Sequence, residues 1–342
     1  MKVLVAGCGA AGFSFARKLK ELSSDAQITL VDKEGAGLYT KIRLPEYLAG
    51  RLPLAKLTLG SPETIAKLGI KLISGAGVAS LDLANSAAKL ENGDVESFET
   101  LVLASGADAA NPCLKACGST PVFTLRTLAD ANAIISACSS ARKAIVIGGG
   151  LLGLEAAWAL QARGLAVQII ECLPRLLPRQ LDEIESSLLL KRFSALGFEI
   201  LLGRQLQCAS VEGGRKILRL DDGTALDADI VLVSAGIRPR VSLAVSAGLT
   251  VNRGIKVGTR LETSAKGVYA IGDCAELDGR IWGLWAAAKD QGEALASILA
   301  GKQETFSSPV YDPVLKVSGI QMKELRAEAQ ALRAEGKASA NG

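Results

Sequence analysis

The sequence predicts an α/β chain made of two similar three-layer units, each a parallel sheet covered by helices. Three observations predict it: a glycine-rich strand-to-helix motif that occurs twice, a shorter motif that closes each half, and a composition suited to buried parallel strands. The first copy begins with the apolar run Val3-Leu4-Val5-Ala6 and turns through Gly7-Cys8-Gly9-Ala10-Ala11-Gly12. It continues as a helix over residues 13–22 and returns as a strand over residues 28–31 ending at Asp32. The second copy has its strand over residues 144–147, the turn Gly148-Gly149-Gly150-Leu151-Leu152-Gly153, a helix over residues 154–162, and a strand over residues 166–170 ending at Glu171. In such a unit the first glycine permits a tight turn, the second lets backbone approach a pyrophosphate, and the third lets helix and strand pack closely. The helix N-terminus then offers N–H groups to the anion. Asp32 follows Gly12 by twenty residues and Glu171 follows Gly153 by eighteen, where a carboxylate accepts hydrogen bonds from a ribose diol. A single pattern of this kind is a common tight turn. Two copies, each with strand, helix and acid in order, describe two dinucleotide-binding units.

The closing motifs are Leu101-Val102-Leu103-Ala104-Ser105-Gly106-Ala107 and Val231-Leu232-Val233-Ser234-Ala235-Gly236-Ile237. Each is an apolar strand ending in small residues, so backbone at Ser105, Gly106 and Gly236 can pass close to a bound cofactor. A third strand, Gly267-Val268-Tyr269-Ala270-Ile271-Gly272-Asp273, precedes an amphipathic segment over residues 285–299. It puts Asp273 at the carboxyl end of a parallel strand, where open α/β sheets bind ligands.

Composition bounds the remainder. The 342 residues suit two domains and a small appendage, and 49% hydrophobic with only 4% aromatic residues suits parallel sheets under small-residue helices. The net charge of +4 is dispersed, so neither a nucleic-acid footprint nor a polybasic membrane site is expected. Histidine is absent, which removes the usual general base, the commonest metal ligand and any Ser-His or Cys-His pair; no metal site is expected. The seven cysteines (Cys8, Cys113, Cys117, Cys138, Cys172, Cys208, Cys274) are odd in number and mostly in predicted core segments, as for reduced thiols of a cytoplasm. The start of the chain, one Lys and then an apolar stretch up to Leu19, has the look of a leader, but its glycine spacing identifies a nucleotide-binding strand and helix, and no cleavable leader is expected. Residues 144–162 are interrupted by Glu155 and four glycines, so no membrane span is expected.

Taken together, Val-Ala-Gly-Cys-Gly-Ala-Ala-Gly, Leu-Ala-Ser-Gly-Ala, Gly-Gly-Gly-Leu-Leu-Gly-Leu-Glu, Ser-Ala-Gly-Ile-Arg-Pro and Tyr-Ala-Ile-Gly-Asp resemble the pyridine nucleotide-disulfide oxidoreductase superfamily over about residues 1–302. Within it, residues 39–50, 125–131, 176–182 and 315–320 look most like NADH:rubredoxin reductases and the flavin domain of NAD(P)H nitrite reductases. The resemblance implies two nested Rossmann-like domains: an FAD domain over residues 1–108 and 237–302, interrupted by an NAD(P)H domain over 109–236. A short vestigial interface segment and tail follow over 303–342. It implies FAD and NADH as cofactors, with NADPH as the alternative. Lys41 and Arg126 would pair with FAD phosphates, Glu155 would lie near nicotinamide and flavin, and Trp285 would contact the isoalloxazine region, making Glu155, Lys41 and Trp285 the expected catalytic residues. The expected cofactor contacts are these with Gly7, Gly9, Ala11, Gly12, Asp32, Lys33, Ser105, Gly106, Gly148, Gly150, Leu152, Gly153, Glu171, Gly236, Gly272 and Asp273. Where related ferredoxin-type reductases carry a Lys, this chain has Glu46. Only about forty residues follow Lys302, which leaves monomer and homodimer both open.

The superfamily's disulfide reductases need a flavin-side cysteine, generally in the segment that here spans residues 38–50, which contains none. Cys113 and Cys117, spaced C-x-x-x-C in a Pro-containing connection, read as two loop cysteines. Without a dithiol or His, electrons are expected to pass directly from reduced flavin to a small protein such as rubredoxin. An NADH oxidase delivering to oxygen and a redox-sensing interaction protein are the alternatives. Glu171 favours NADH, because a carboxylate repels a 2′-phosphate. The tail from Met322 is Ala-rich with alternating charges and is expected to be a solvated, frayed helix with a disordered end; Leu325 and Leu332, seven apart, could seat it on a partner.

Overall fold

The computed structural model describes residues 1–112, 116 and 118–340; Cys113 and Cys117 lie outside the described residues. The chain forms two compact units. The first comprises Met1–Ile42, Leu54–Asp108 and Ile237–Tyr311, and the second Arg43–Pro53, Ala109–Gly236 and Asp312–Gly342.

In the first unit a five-stranded parallel sheet runs in the order Val268–Ala270, Thr100–Leu103, Lys2–Ala6, Gln27–Asp32, Lys71–Ser74. Its central strand is an unbroken apolar run from Val3 to Ala6 because both faces are covered. On one face the helices Ala10–Leu22 and Trp285–Leu299 pack together, sealing Phe15, Leu19, Leu30, Val102 and Leu295. Their approach requires a residue with no side chain, since a Cβ on Gly292 would fall 2.3 Å from the Ala11 carbonyl oxygen. On the other face Leu4, Leu101 and Leu103 join Ala88, Leu90 and Phe98 around the antiparallel meander Val78–Asp82, Ala87–Leu90, Val95–Ser97. Leu101 is 0% exposed, so truncating it to Ala costs about 2–5 kcal/mol.

The second unit repeats the plan. Its parallel sheet runs Glu199–Leu202, Ala166–Glu171, Lys143–Ile147, Ile230–Val233. One face is covered by the meander Leu206–Glu212, Arg215–Leu220, Ala225–Ala228, with Ile145, Ile170, Leu218 and Val231 in the core. The helix Leu151–Ala162 packs against Lys143–Ile147 and Ala166–Glu171 and buries Leu154, Ala156, Ala157 and Leu160. Both motif helices begin three residues before the hydrophobic periodicity suggests, at Ala10 and Leu151, because the glycine turn itself provides the first helical turn.

Three features differ from the sequence expectation. Arg43–Pro53, which the sequence boundaries assign to the first half, belongs to the second unit. There its helix Leu44–Leu48 packs on Leu128–Cys138 and Leu151–Ala162, with Tyr47 Oη donating to Asn132 Oδ1 at 2.9 Å and the Arg163 guanidinium to the Leu48 carbonyl. The tail is a docked helix, Met322–Ala340, and not a solvated one. Met322, Leu325 and Ala329 fall on one stripe and are buried, while Leu332 stays 44% exposed. Arg192 pairs with Glu324 and Glu328, and Arg333 with Asp182, fixing the tail to the Glu183–Ala195 helix. Finally, only Cys8 and Cys274 of the described cysteines are buried. Cys172 and Cys208 are exposed, because one follows the end of a strand and the other lies on the outer side of the meander. No helix among the described residues is long and apolar enough to cross a membrane.

Candidate dinucleotide sites

Each unit carries one glycine cradle, and the two are nearly superposable in their constraints. Gly7 has φ +128°, and a Cβ there would fall 2.2 Å from the Ala104 carbonyl oxygen; Gly148 has φ +120°, with a Cβ 2.2 Å from the Ser234 oxygen. The motif that closes each half is thus the wall against which the first glycine turns. The third glycines, Gly12 and Gly153, seal strand to helix: a Cβ on either would stand 2.0 Å from the carbonyl oxygen of Gly7 or Gly148. The middle glycines differ in kind, since a Cβ on Gly9 or Gly150 would meet nothing within 4 Å. They face the space a ligand needs.

The helix starts behind both cradles are open. Gly9 and Gly150 are the N-caps, neither helix has a side-chain cap, and neither has an acid in its first turn. Two other helices, Leu128–Cys138 and Glu183–Ala195, are closed off by side chains. Thr127 and Asp182 each form a full capping box, with Asp130 and Glu185 reaching back. The unfilled N–H groups and the positive helix end therefore sit where the chain has turned glycine backbone outward, which suits a pyrophosphate.

The two acids behave differently. Asp32, 4% exposed, accepts from Gly37 N at 2.7 Å and Glu34 N at 3.2 Å; burial pushes its carboxyl above the usual range against the pull of these donors. Glu171, 8% exposed, accepts from Gly149 N at 2.6 Å and Leu173 N at 2.8 Å, so it is tied into the glycine turn itself.

Around the first cradle, Ser105 Oγ donates to the Arg240 carbonyl at 2.9 Å and Gly106 is left-handed at φ +69°. Gly272 opens a short 3-10 turn that carries the half-buried Asp273, and its N–H donates to Gln291 Oε1 at 2.7 Å. Trp285 starts its helix half-buried and packed on the core. Lys41 pairs with Glu34, which also accepts from Tyr39 Oη, and the Lys41 ammonium lies 5.3 Å from the Tyr39 ring centre. Lys33 points to Glu91, at 2.6 Å, and is 67% exposed. In the second unit Ala11's counterpart Leu152 is half-buried, Gly236 is left-handed at φ +99°, and Arg126 N donates to Asp130. Glu155 is 6% exposed and accepts from Lys316 N at 2.8 Å; burial raises its pKa to about 7. Glu46 is held bidentately by Arg43 at 2.8 and 2.6 Å, which keeps it below the usual carboxylate range.

Sequence reasoning missed Glu34, Gln291, Arg43 and Lys316. Gln291 and Glu34 carry no motif, whereas Arg43 and Lys316 sit in the stretches 39–50 and 315–320 already singled out by resemblance.

Fold and cradles together define a protein of two dinucleotide-binding modules. The chain belongs to the pyridine nucleotide-disulphide oxidoreductase family, whose model matches residues 1–292. It is 33% identical over 94% of its length to an assimilatory nitrate reductase electron transfer subunit of Bacillus subtilis, of which it covers 42%, or about two fifths. It is 31% identical over 92% of its length to a rubredoxin-NAD(+) reductase of Alcanivorax borkumensis, of which it covers 82%. Among solved structures it is similar to NADH:rubredoxin oxidoreductase of Clostridium acetobutylicum, with TM-score 0.80, 30% identity and coverage of 94% and 80% of the two chains.

Proposed function

We propose that the chain takes electrons from NADH and passes them through FAD to a small one-electron protein such as rubredoxin, without a redox-active disulfide. The observation that carries this reading is the pair of uncapped, acid-free helix starts behind outward-facing Gly9 and Gly150. In it the first cradle holds FAD, with Asp32 on the ribose, Asp273 and Ser105–Gly106 along the chain, and Lys41 on phosphate. The second holds NADH. FAD, when bound, accepts a hydride and releases electrons singly. The chain's part is to hold each ring in place, Trp285 at the flavin and Glu155 at the nicotinamide.

Thiol chemistry is disfavoured by the residues at hand. Cys8, in the first cradle, is buried and its pKa is pushed far up by burial and by Asp32 and Glu34, so it stays a thiol. The names of the nitrate reductase subunit and the rubredoxin reductase support delivery to a protein acceptor. Glu171 supports NADH over NADPH. The reduced thiols and an NADH supply support a cytoplasmic setting. In stopped flow, reduced enzyme is expected to deliver electrons to rubredoxin at least tenfold faster than to oxygen; equal rates would favour the oxidase, and a colourless protein that refuses FAD would overturn the reading.

A further inference from the structure

Among the described residues, four carboxylates are buried below 9% exposure: Asp32, Glu171, Glu276 and Glu155. The first three each accept at least two hydrogen bonds, Asp32 from Glu34 N and Gly37 N, Glu171 from Gly149 N and Leu173 N, Glu276 from Asn252 Nδ2 and Gly254 N. Glu155 accepts one among the described residues, from Lys316 N. A buried carboxylate with so little support holds its proton readily.

The charges acting on it come from two other segments. Lys316, on the C-terminal segment, favours the ionised form, and Glu46, on the Leu44–Leu48 helix, opposes it. Arg43 is spent on Glu46. On the strands beneath, Glu171 is turned to Gly149 and Leu173, and Lys143 to Asp227. On its own helix Arg163, at the far end, donates to the Leu48 carbonyl.

Glu155 stands five residues after Gly150, about 7 Å along the helix that leaves the second cradle. A charge at that depth is poorly screened. The oxidised nicotinamide carries a positive charge that the reduced one lacks. We propose that Glu155, held by Lys316 and opposed by Glu46, is a specificity-determining residue that sets the second unit's preference between the cationic, oxidised nicotinamide and the neutral, reduced one through the proton it carries. This rests on the reading that the second cradle binds NADH. Binding the cation expels the Glu155 proton to solvent; binding the neutral ring leaves it in place.

The test is titration calorimetry of the FAD-loaded protein with NAD+ and with NADH at pH 7, in buffers of different ionisation enthalpy. NAD+ binding is expected to release protons and NADH binding not to. The ratio Kd(NAD+)/Kd(NADH) should rise about tenfold from pH 8 to pH 6, and Glu155→Gln should flatten it. Lys316→Met should move the midpoint up and Glu46→Gln should move it down. Equal proton release for both coenzymes, a ratio indifferent to pH, or variants shifting the midpoint the same way would overturn the inference while leaving the functional reading intact. Failure of both coenzymes to bind the wild-type protein would instead overturn the functional reading and this inference with it.

Discussion

The two cradles share their backbone and differ in their acids. Gly7 and Gly148, and Gly12 and Gly153, meet the same walls at the same distances. Asp32 bonds forward into its own loop, to Glu34 and Gly37, whereas Glu171 bonds back to Gly149 in the turn. One extra methylene lets the glutamate reach where the aspartate does not. A second difference lies two residues past the third glycine, where the first unit has buried, neutral Ser14 and the second has Glu155. The comparison teaches that glycine spacing dictates the backbone of each cradle, while its surroundings are set separately.

The largest expected effects break the shared part. Gly12→Ala drives a methyl into a carbonyl oxygen and should cost about 2–3 kcal/mol of stability, yielding protein purified without flavin absorbance. Gly153→Ala meets the same obstacle in the other unit and should keep the yellow colour while weakening NADH binding about a hundredfold. Loss of colour in both would deny the cradles separate ligands.

Next comes the charged step. The folded protein holds the Glu155 proton up to about pH 7, the unfolded chain only to about 4.5. Between these values the native state binds more protons, so stability should fall as pH rises, by about 3 kcal/mol in all. Urea titrations across this range should show that fall in wild type and a flatter profile in Glu155→Gln; a Ser14→Ala control should leave the slope unchanged.

Replacing the acids sharpens the contrast between them. Glu171→Ala leaves the Gly149 N–H without its acceptor, a cost of about 1–3 kcal/mol, and should raise the NADH Kd without altering flavin content. Asp32→Ala should do the reverse, loosening the Glu34–Gly37 loop and shedding flavin. The smallest effect is a gain. Gly150→Ser adds a cap in open space and should stabilise the second unit by a few tenths of a kcal/mol while weakening coenzyme binding, because its hydroxyl takes the N–H groups the anion needs. Thermal melts with and without NADH would separate the two consequences.

The α/β class, the two cradles and the strands around them were legible because they are local. A glycine three or five residues from another meets it again within one turn, and an apolar run announces a strand covered on both faces. The acids at the strand ends were legible as positions but not as hydrogen-bond partners. Residues brought together across long stretches of chain were not legible: Gln291 on Gly272, Glu91 on Lys33, Lys316 on Glu155. Their partners are chosen by packing, and no spacing encodes them.

By itself, the sequence determined that this chain has two glycine turns between strand and helix on parallel sheets, since glycine's missing side chain and the run of apolar residues act within a few positions of themselves. Only the tertiary structure decided that Arg43–Pro53 and the tail join the second unit, that the tail helix is buried along one stripe, and that Glu155 faces Lys316 and Glu46. Burial and the field of distant charges depend on what the whole chain brings near a group, and a one-dimensional string does not carry those neighbours.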